Sequence, residues 1–260
     1  MSAGGASAET AGYRADAVPA DALPSTPGVM TTTVLITGVG REGQVGEAVA
    51  RAFAEAGARL ALVDRDAAQV EARAAALRAA GREAHAFACD LTDADAVEAM
   101  AARVREAAGD VGALVCVAGG FAAGNAADAD AALWQRMLAI NVTTAALATR
   151  AALPMLRRTR GAAVYFGSAA ALPGATGAGM AAYAAAKSAV LALMRAVAEE
   201  ERPHGVRANA VAPTSIRTAD NVAAMGDQAG YVSREEVAEA VRWLCGDAAR
   251  AVTGQVIRLG

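Results

Sequence analysis

The stretch TTTVLITGVGREGQVGEAVARAFAEAG, residues 31–57, contains a complete strand–turn–helix unit. Its β-branched and apolar residues end at a glycine-rich turn, and apolar residues then recur at helical spacing until Gly57. A short continuous apolar run followed by a helical pattern is typical of a strand buried on both faces and of its crossover helix. The stretch therefore predicts the first βα unit of a parallel sheet.

The same alternation of short apolar runs and longer helical patterns continues to the end of the chain. Further strand-like runs lie at 58–64, 83–90, 112–120, 161–168, 206–213 and 254–259. Helical patterns fill the intervals at 67–81, 93–109, 130–158, 179–200 and 233–247. This order indicates βαβ units with right-handed crossovers. It predicts an α/β, single-domain Rossmann-type doubly wound parallel sheet of about seven strands, with helices on both faces.

Two segments fall outside this pattern. Residues 1–29 are small, polar and interrupted by Pro and Gly, and they lack the apolar core of a signal peptide. We expect them to form a disordered or loosely ordered N-terminal tail. The stretch after Pro213, residues 214–231, is expected to be an irregular, short lid. Residues 30–260 then form one domain.

The composition excludes several classes of function. The net charge is −3 and the arginines are interleaved with acidic residues, which is typical of solvated helix faces and not of a nucleic-acid-binding surface. Three dispersed cysteines, Cys89, Cys116 and Cys245, and only two histidines argue against a disulfide framework or a metal site. No apolar run approaches the length of about 20 residues that spans a membrane. The sequence predicts a cytoplasmic protein with no metal, nucleic-acid or membrane partner.

The glycine-rich turn TGVGREGQVG, residues 37–46, is a candidate phosphate-binding loop. Glycines let the backbone approach a pyrophosphate, and the following helix N-terminus presents free N–H groups. The alternative is an ordinary strand-to-helix turn. The candidate cofactor-binding residues of this loop are Thr37, Gly38, Gly40, Arg41, Gly43, Val45 and Gly46.

Residues at the ends of the next strands extend the same site. Asp64 lies 26 residues after Gly38 and could accept hydrogen bonds from an adenosine ribose while repelling a 2′-phosphate, which favours NAD(H) over NADP(H). Arg41 and Arg65 could instead face a phosphate. Asp90 could meet the adenine or belong to a helix N-cap. Further candidate cofactor-binding residues are Leu91, Ala118 and Gly119.

A tyrosine and the only lysine of the chain lie four residues apart within the helical pattern at 179–200. At this spacing Tyr183 and Lys187 share a helix face, and we expect the ammonium to lower the pKa of Tyr183. Ser168, at a strand end, could hold a substrate oxygen, and Asn141, in the long helical pattern, could relay protons through a water. Each has an ordinary alternative: a chance spacing, a turn serine or a surface asparagine. Together they predict an acid–base site.

In the order and spacing of these residues, the chain resembles the short-chain dehydrogenase/reductase family from about Thr32 to Leu259. The matching motifs are Thr37-Gly38, Asp64, Asp90, the AGG run at 118–120, Asn141, Ser168, the Tyr183/Lys187 pair and NAVAP at 209–213.

The resemblance implies an NAD(P)(H)-dependent oxidoreductase that moves hydride between nicotinamide and a carbonyl or secondary alcohol. It implies a catalytic tetrad and a small-molecule substrate, with the 214–231 segment as its lid, and a homo-oligomer, either a tetramer or a dimer. The implied tetrad is Asn141, Ser168, Tyr183 and Lys187, with Tyr183 and Lys187 also contacting the cofactor. The other implied cofactor contacts are Pro213, Ile216 and Thr218.

The chain departs from the family pattern at several points. Seven residues separate Gly38 from Gly46, more than is usual, and Gln44 stands near the expected middle glycine, so the sequence leaves the path of the loop open. Cys116 replaces a structural asparagine of the family, and Thr214 follows Pro213 where a glycine is usual.

Other functions compete with this interpretation. A dinucleotide-binding regulator or scaffold without efficient turnover would suit the modified glycine loop. A dihydropteridine-reductase-like reductase has some likeness in the lid, although Ser168 favours ordinary carbonyl chemistry. Enoyl reduction is disfavoured by the four-residue spacing of Tyr183 and Lys187.

Overall fold

The structure is a computed structural model, and it describes residues 32–227 and 230–260. The expected N-terminal tail, 1–29, lies outside the described residues, as do residues 228 and 229 of the expected lid. The domain boundary at residue 30 stays a prediction.

Seven parallel strands form one sheet, as predicted. In chain order they are β1 Thr33–Thr37, β2 Arg59–Asp64, β3 Ala84–Ala88, β4 Val111–Cys116, β5 Ala162–Phe166, β6 Arg207–Pro213 and β7 Val256–Leu259. Across the sheet the order is β3-β2-β1-β4-β5-β6-β7, and neighbouring strands are parallel. The winding reverses between β1 and β4. A crevice for a ligand is therefore expected outside the carboxyl ends of these two strands.

Eight α-helices connect or flank the strands in the part of the chain that the structure describes. They are α1 Val45–Glu55, α2 Ala67–Ala79, α3 Ala94–Ala108, α4 Ala131–Leu138, α5 Thr144–Thr159, α6 Ala181–Glu200, α7 Ala219–Met225 and α8 Arg234–Cys245. The helical pattern predicted at 130–158 thus forms α4 and α5, which are joined by a single π-helical turn, Ala139–Thr143.

Helices cover both faces of the sheet because its central strands are apolar on both sides. All five residues of β1 are buried. Leu35 faces a core that includes residues of α3, α5 and α6. Its neighbours Val34 and Ile36 face a second core that includes residues of α1, α2 and α8. Burial on both faces fixes the strand register and aligns the strand ends at one edge.

Helix α7 lies in the segment that was expected to be irregular, so that expectation was wrong for residues 219–225. Thr218 caps the helix by accepting a hydrogen bond from the Asn221 amide at 3.2 Å. Gly226, at φ 76°, ends it. A parallel bridge between Ile216 and Val232 joins the two sides of the lid. A polar cap and a terminal glycine are sufficient to define a short helix here.

Helix α6 is long and apolar enough to cross a membrane, by length and composition only, over a window of 18 residues. Within the described residues, however, 44% of that window is buried inside the molecule. Ala186, Val190 and Met194 are among the residues that pack inward. The helix therefore has the character of a core helix.

Candidate active site

A cleft of about 740 Å³ lies where the winding of the sheet reverses. Nine of the predicted cofactor-binding residues line it: Gly38, Arg41, Val45, Gly46, Asp64, Asp90, Leu91, Ala118 and Gly119. Gln44, which stands near the expected middle glycine, also lines it, as do residues that the sequence did not single out, among them Gln69, Arg136 and Ile140. The predicted residues from four separate strand ends are therefore adjacent in space.

The two outer glycines of the loop lie in close contact. Gly38 has φ +76°, a conformation that side-chain-bearing residues rarely adopt. A Cβ on Gly46 would lie 2.2 Å from the carbonyl oxygen of Gly38. The first turn of α1 thus packs directly on the end of β1, and no side chain at Gly46 fills the space in front of the helix N-terminus.

Two carboxylates hold the lengthened part of the loop. The Gly40 amide donates to Asp64 Oδ2 at 2.8 Å, and the Gly43 amide donates to Glu47 Oε2 at 2.8 Å. Glu47 is held in turn by Arg73, whose Nη1 lies 2.9 Å from its Oε1. This answers the question of the loop path: the extra residues are anchored by side chains on β2 and α1.

Arg41 lines the cleft and is paired with the lid. Its guanidinium pairs with Asp220 on α7, and both side chains are more than half exposed. Beside this pair, the Ala219 amide donates to the Gly43 carbonyl at 3.2 Å. The lid helix is therefore docked on the glycine loop.

Asp90 belongs to the turn before α3. Its carboxylate accepts from the Thr92 amide at 2.9 Å and from the Thr92 hydroxyl at 2.7 Å. Those hydrogen bonds lower the pKa of Asp90, and the nearby Arg65 lowers it further. The N-cap of α3 is Asp93, which accepts from two helix amides. Asp90 thus lines the cleft without capping the helix.

The backbone that follows β4 is fixed by hydrogen bonds to the side chains of Thr37 and Asn141. Thr37 Oγ1 accepts from the Ala118 amide at 3.2 Å. Asn141 Oδ1 accepts from the Gly120 amide at 3.2 Å, and its Nδ2 donates to the Gly120 carbonyl at 3.0 Å. A Cβ on Gly119 would lie 2.6 Å from Asn141 Oδ1 and 3.4 Å from Lys187 Nζ. Only glycine therefore fits at position 119.

Asn141 is buried, not the surface residue that a mid-helix asparagine usually is. It sits in the π-helical turn, and its Nδ2 also donates to the Met137 carbonyl at 3.0 Å. Both amide hydrogens are therefore engaged in holding backbone. π-Helical turns occur frequently at functional sites. A proton-relay role for Asn141 stays a prediction.

Ser168 and Tyr183 meet at the end of β5. Ser168 is 7% exposed and lies close enough to Tyr183 to act on its hydroxyl, while Ser168 Oγ accepts from the Ala170 amide at 3.3 Å. Burial raises the pKa of Tyr183 above its usual value of 10, and the nearby Ser168 side chain acts in the opposite direction. The net shift is opposite to the one expected from the neighbouring lysine, because removing the phenol from water disfavours the phenolate.

Lys187 is 7% exposed, and its Nζ donates to the Phe166 carbonyl at 2.9 Å. The same Nζ lies 5.9 Å from the centre of the Tyr183 ring. Burial lowers the pKa of Lys187 from 10.5 to about 8. The sole lysine of the chain is thus buried between the tyrosine and the end of β5.

Two contacts of this pair, with Phe121 and with Cys116, were missed by sequence reasoning. Phe121 packs edge-on against Tyr183, with ring centroids 5.0 Å apart, and is 61% exposed. Cys116 is buried close enough to Lys187 to interact electrostatically with it. No motif marks either contact, although an apolar residue two positions after AG at 118–119 was visible in the sequence.

The three cofactor contacts expected at the end of β6 and in the lid do not line the cleft. Pro213 ends β6 and is buried. Thr218 is 6% exposed and caps α7, while Ile216 is bridged to Val232. None of these three lines the cleft at the winding reversal. Their contact with a cofactor stays a prediction.

Comparison with known proteins places this arrangement in a family. A family model described as short chain dehydrogenase matches residues 32–229. The chain is 37% identical over 242 residues to 2-(S)-hydroxypropyl-CoM dehydrogenase 3 of Xanthobacter autotrophicus, covering 85% of this chain and 92% of that protein. It is 40% identical over 173 residues to a protein of the same organism named inactive 2-(S)-hydroxypropyl-CoM dehydrogenase 2, covering 66% of this chain and 73% of that protein.

A solved structure agrees with the sequence relatives. The short-chain dehydrogenase/reductase from Serratia marcescens superposes with a TM-score of 0.81 at 27% identity, covering 89% of this chain and 97% of that one. The chain therefore belongs to the short-chain dehydrogenase/reductase family, whose members are NAD(P)-dependent oxidoreductases that act on alcohol and carbonyl groups.

Proposed function

We propose that the protein moves hydride between a nicotinamide cofactor and a carbonyl or secondary alcohol, using Asn141, Ser168, Tyr183 and Lys187, and that it favours NAD(H) over NADP(H). The observation that carries this proposal is the proximity of Ser168 to Tyr183, one helical turn from a buried lysine that is bonded to the end of β5. A hydroxyl pair next to a cation is suited to binding and protonating a carbonyl oxygen.

The cleft fits a dinucleotide. Gly46 and Gly119 both line the cleft, and the absence of a Cβ lets each pack closely on the protein behind it, on Gly38 and on Asn141 respectively. Asp64 would hold the adenosine ribose, because its carboxylate has acceptor capacity left after its bonds to Gly40 and Asp66. The N-terminus of α1 would receive the pyrophosphate. When bound, the nicotinamide supplies or accepts the hydride.

Tyr183 would give or take the proton of the substrate oxygen while Ser168 orients that oxygen. Because burial raises the pKa of Tyr183, the phenol is protonated at neutral pH and can act as the acid in carbonyl reduction. Lys187 supplies the positive charge that favours the phenolate once the proton has left. Its hydrogen bond to the Phe166 carbonyl holds that charge at a defined position.

A secondary alcohol is the substrate class that the comparisons favour. The relative from Xanthobacter autotrophicus is named a dehydrogenase of a 2-hydroxypropyl compound, which is a secondary alcohol. The homo-oligomer and the cytoplasmic location stay predictions from sequence.

A second candidate function is a dinucleotide-binding scaffold without turnover. The lengthened glycine loop favours it, and one relative carries the word inactive in its name. Against it, the chain retains Ser168, Tyr183 and Lys187 in contact or close proximity. Binding of NADH without oxidation across a broad panel of ketones and aldehydes would support the scaffold.

The test of the proposed reaction is Tyr183→Phe, assayed on a ketone that the wild-type protein reduces. Loss of the proton donor should lower kcat by about 10² to 10⁴. The affinity for NADH, measured by its fluorescence, should change little, because the dinucleotide contacts lie mainly elsewhere. Full turnover by this variant would refute the role of Tyr183.

A further inference from the structure

Helix α7 of the lid contacts the glycine loop, and the sequence of neither segment predicts these contacts. Arg41 of the loop pairs with Asp220 in the first turn of α7. The Ala219 amide donates to the Gly43 carbonyl at 3.2 Å. A Cβ on Gly43 would lie 3.1 Å from the Cβ of Ala219, so the two backbones approach closely. The position of Asp220 over the loop is therefore fixed by backbone as well as by charge.

Arg41 is well placed to bind a phosphate if its partner is removed. It lines the same cleft as Asp64 and Arg65. It directly follows Gly40, whose amide is bonded to the Asp64 carboxylate. Once released from Asp220, a guanidinium lining this cleft is the group that would compensate the charge of a 2′-phosphate.

We propose that Asp220 is a specificity-determining residue for the nucleotide, acting through Arg41. By pairing with the guanidinium, Asp220 holds it toward the lid and away from the ribose, so that a 2′-phosphate meets the Asp64 carboxylate without a compensating cation. Discrimination against NADP(H) then has two parts, repulsion by Asp64 and sequestration of Arg41 by Asp220. This inference rests on the proposed binding of a dinucleotide in the cleft.

The lid supplies a matched control. Arg217 and Asp227 form a second ion pair of the same kind, with Nη2 and Oδ2 2.6 Å apart and both side chains more than half exposed. This pair lies within the lid and does not involve the glycine loop. Neutralising Asp227 therefore removes an equal charge from the same segment while leaving Arg41 paired.

The experiment is titration of the full-length protein with NADH and NADPH, followed by fluorescence, for wild type, Asp220→Asn, Arg41→Ala, the double variant and Asp227→Asn. Thermal unfolding first establishes that each variant is folded. Asp220→Asn should raise the affinity for NADPH relative to NADH about two- to fivefold, the range expected for an exposed charge pair. Raising the ionic strength should shrink this change.

The double variant tests whether Asp220 acts on nucleotide selectivity through Arg41. In the Arg41→Ala background, Asp220→Asn should leave the NADPH-to-NADH ratio unchanged, because no guanidinium remains to be released. A shift that persists in that background, an unchanged ratio in Asp220→Asn, or an equal shift in Asp227→Asn would each overturn the inference. If the wild-type protein bound neither nucleotide, the proposed function itself would fail, which is a different outcome from binding with an unaltered ratio.

Discussion

The nucleotide end and the reaction end of the site are stabilised by different kinds of interaction. At the nucleotide end, the glycine loop is held by the carboxylates of Asp64 and Glu47, and its arginine pairs with Asp220. At the reaction end, the segments 117–124 and 168–183 contain no charged residue. Lys187 is the charge that reaches the tyrosine, and its partner is a backbone carbonyl.

This difference predicts where the protein is sensitive to substitution. The ion pair at the loop is solvated, and exposed pairs contribute roughly 0 to 1 kcal/mol each. Lys187 is buried among neutral groups, so the environment acts strongly on its charge, and burial lowers its pKa to about 8. Substitutions at the nucleotide end should therefore change the ratio of NADH to NADPH affinity moderately, whereas substitutions at the reaction end should lower kcat strongly.

Lys187→Arg is the strongest test of the difference between the two ends. The variant keeps a positive charge, but a planar guanidinium cannot occupy the space of a compact ammonium between the Phe166 carbonyl and Gly119. We expect the protein to fold and kcat to fall by about a hundredfold, within the range that positioned acid–base groups contribute. Steady-state kinetics on a ketone substrate would measure it.

The matched control is Arg195→Lys on the same helix. Arg195 is exposed, so exchanging the two cations there should leave kcat within about twofold of wild type, as for most surface substitutions. Near-normal turnover in Lys187→Arg would show that the reaction end tolerates either cation, and the contrast between the two ends would then be incorrect.

The pH dependence of stability tests the burial of the same charge. The pKa of Lys187 falls from 10.5 to about 8 on folding, so the unfolded chain binds more protons than the folded protein between those two values. The free energy of unfolding of wild type should therefore rise with pH across that window, by at most about 3 kcal/mol from this group. Lys187→Met lacks this contribution.

Urea unfolding of both proteins at pH 8 and pH 10.5 would measure it, without added nucleotide because a bound ligand would stabilise the folded state. The difference between wild type and variant removes the contribution of other titrating groups. A difference that stays constant over this range would mean that the ammonium is solvated in the folded protein.

Much of this contrast was predictable from the sequence, for a physical reason. Strands buried on both faces must be apolar runs, and parallel strands present their carboxyl ends at one edge, so the approximate positions of Gly38, Asp64 and Ser168 followed from the alternation alone. The spacing of Tyr183 and Lys187 also predicted their shared helix face. Local pattern and global fold agree in these regions.

The remainder depends on contacts between distant segments. Arg41 and Asp220 are 179 positions apart, and nothing local to either residue identifies the other as its partner. Burial sets the sign of the Tyr183 pKa shift, and burial is a property of the packed structure. The helix in the lid was missed because a seven-residue element gives too short a pattern to recognise.

Asp64→Asn, at the nucleotide end, should have a smaller effect than the substitutions of Lys187. Asparagine keeps a carbonyl oxygen that can accept from the Gly40 amide, so the loop stays anchored while the charge is lost. The substitution weakens the hydrogen bonds to a ribose and removes the repulsion of a 2′-phosphate. We expect the ratio of NADH to NADPH affinity to fall about tenfold, since a charged acceptor exceeds a neutral one by about 1 to 1.5 kcal/mol.

Asp66→Asn serves as the control for charge alone. Asp66 lines the same cleft and caps α2 by accepting from the Gln69 amide at 3.0 Å, a role that asparagine performs equally well. Fluorescence titration of both variants with NADH and NADPH shows whether selectivity depends on direct contact with the Asp64 carboxylate or on any negative charge in the cleft, such as that of Asp66. If Asp66→Asn shifted the ratio as much as Asp64→Asn, selectivity would arise from the summed charge of the cleft, and the nucleotide end would discriminate by field and not by contact.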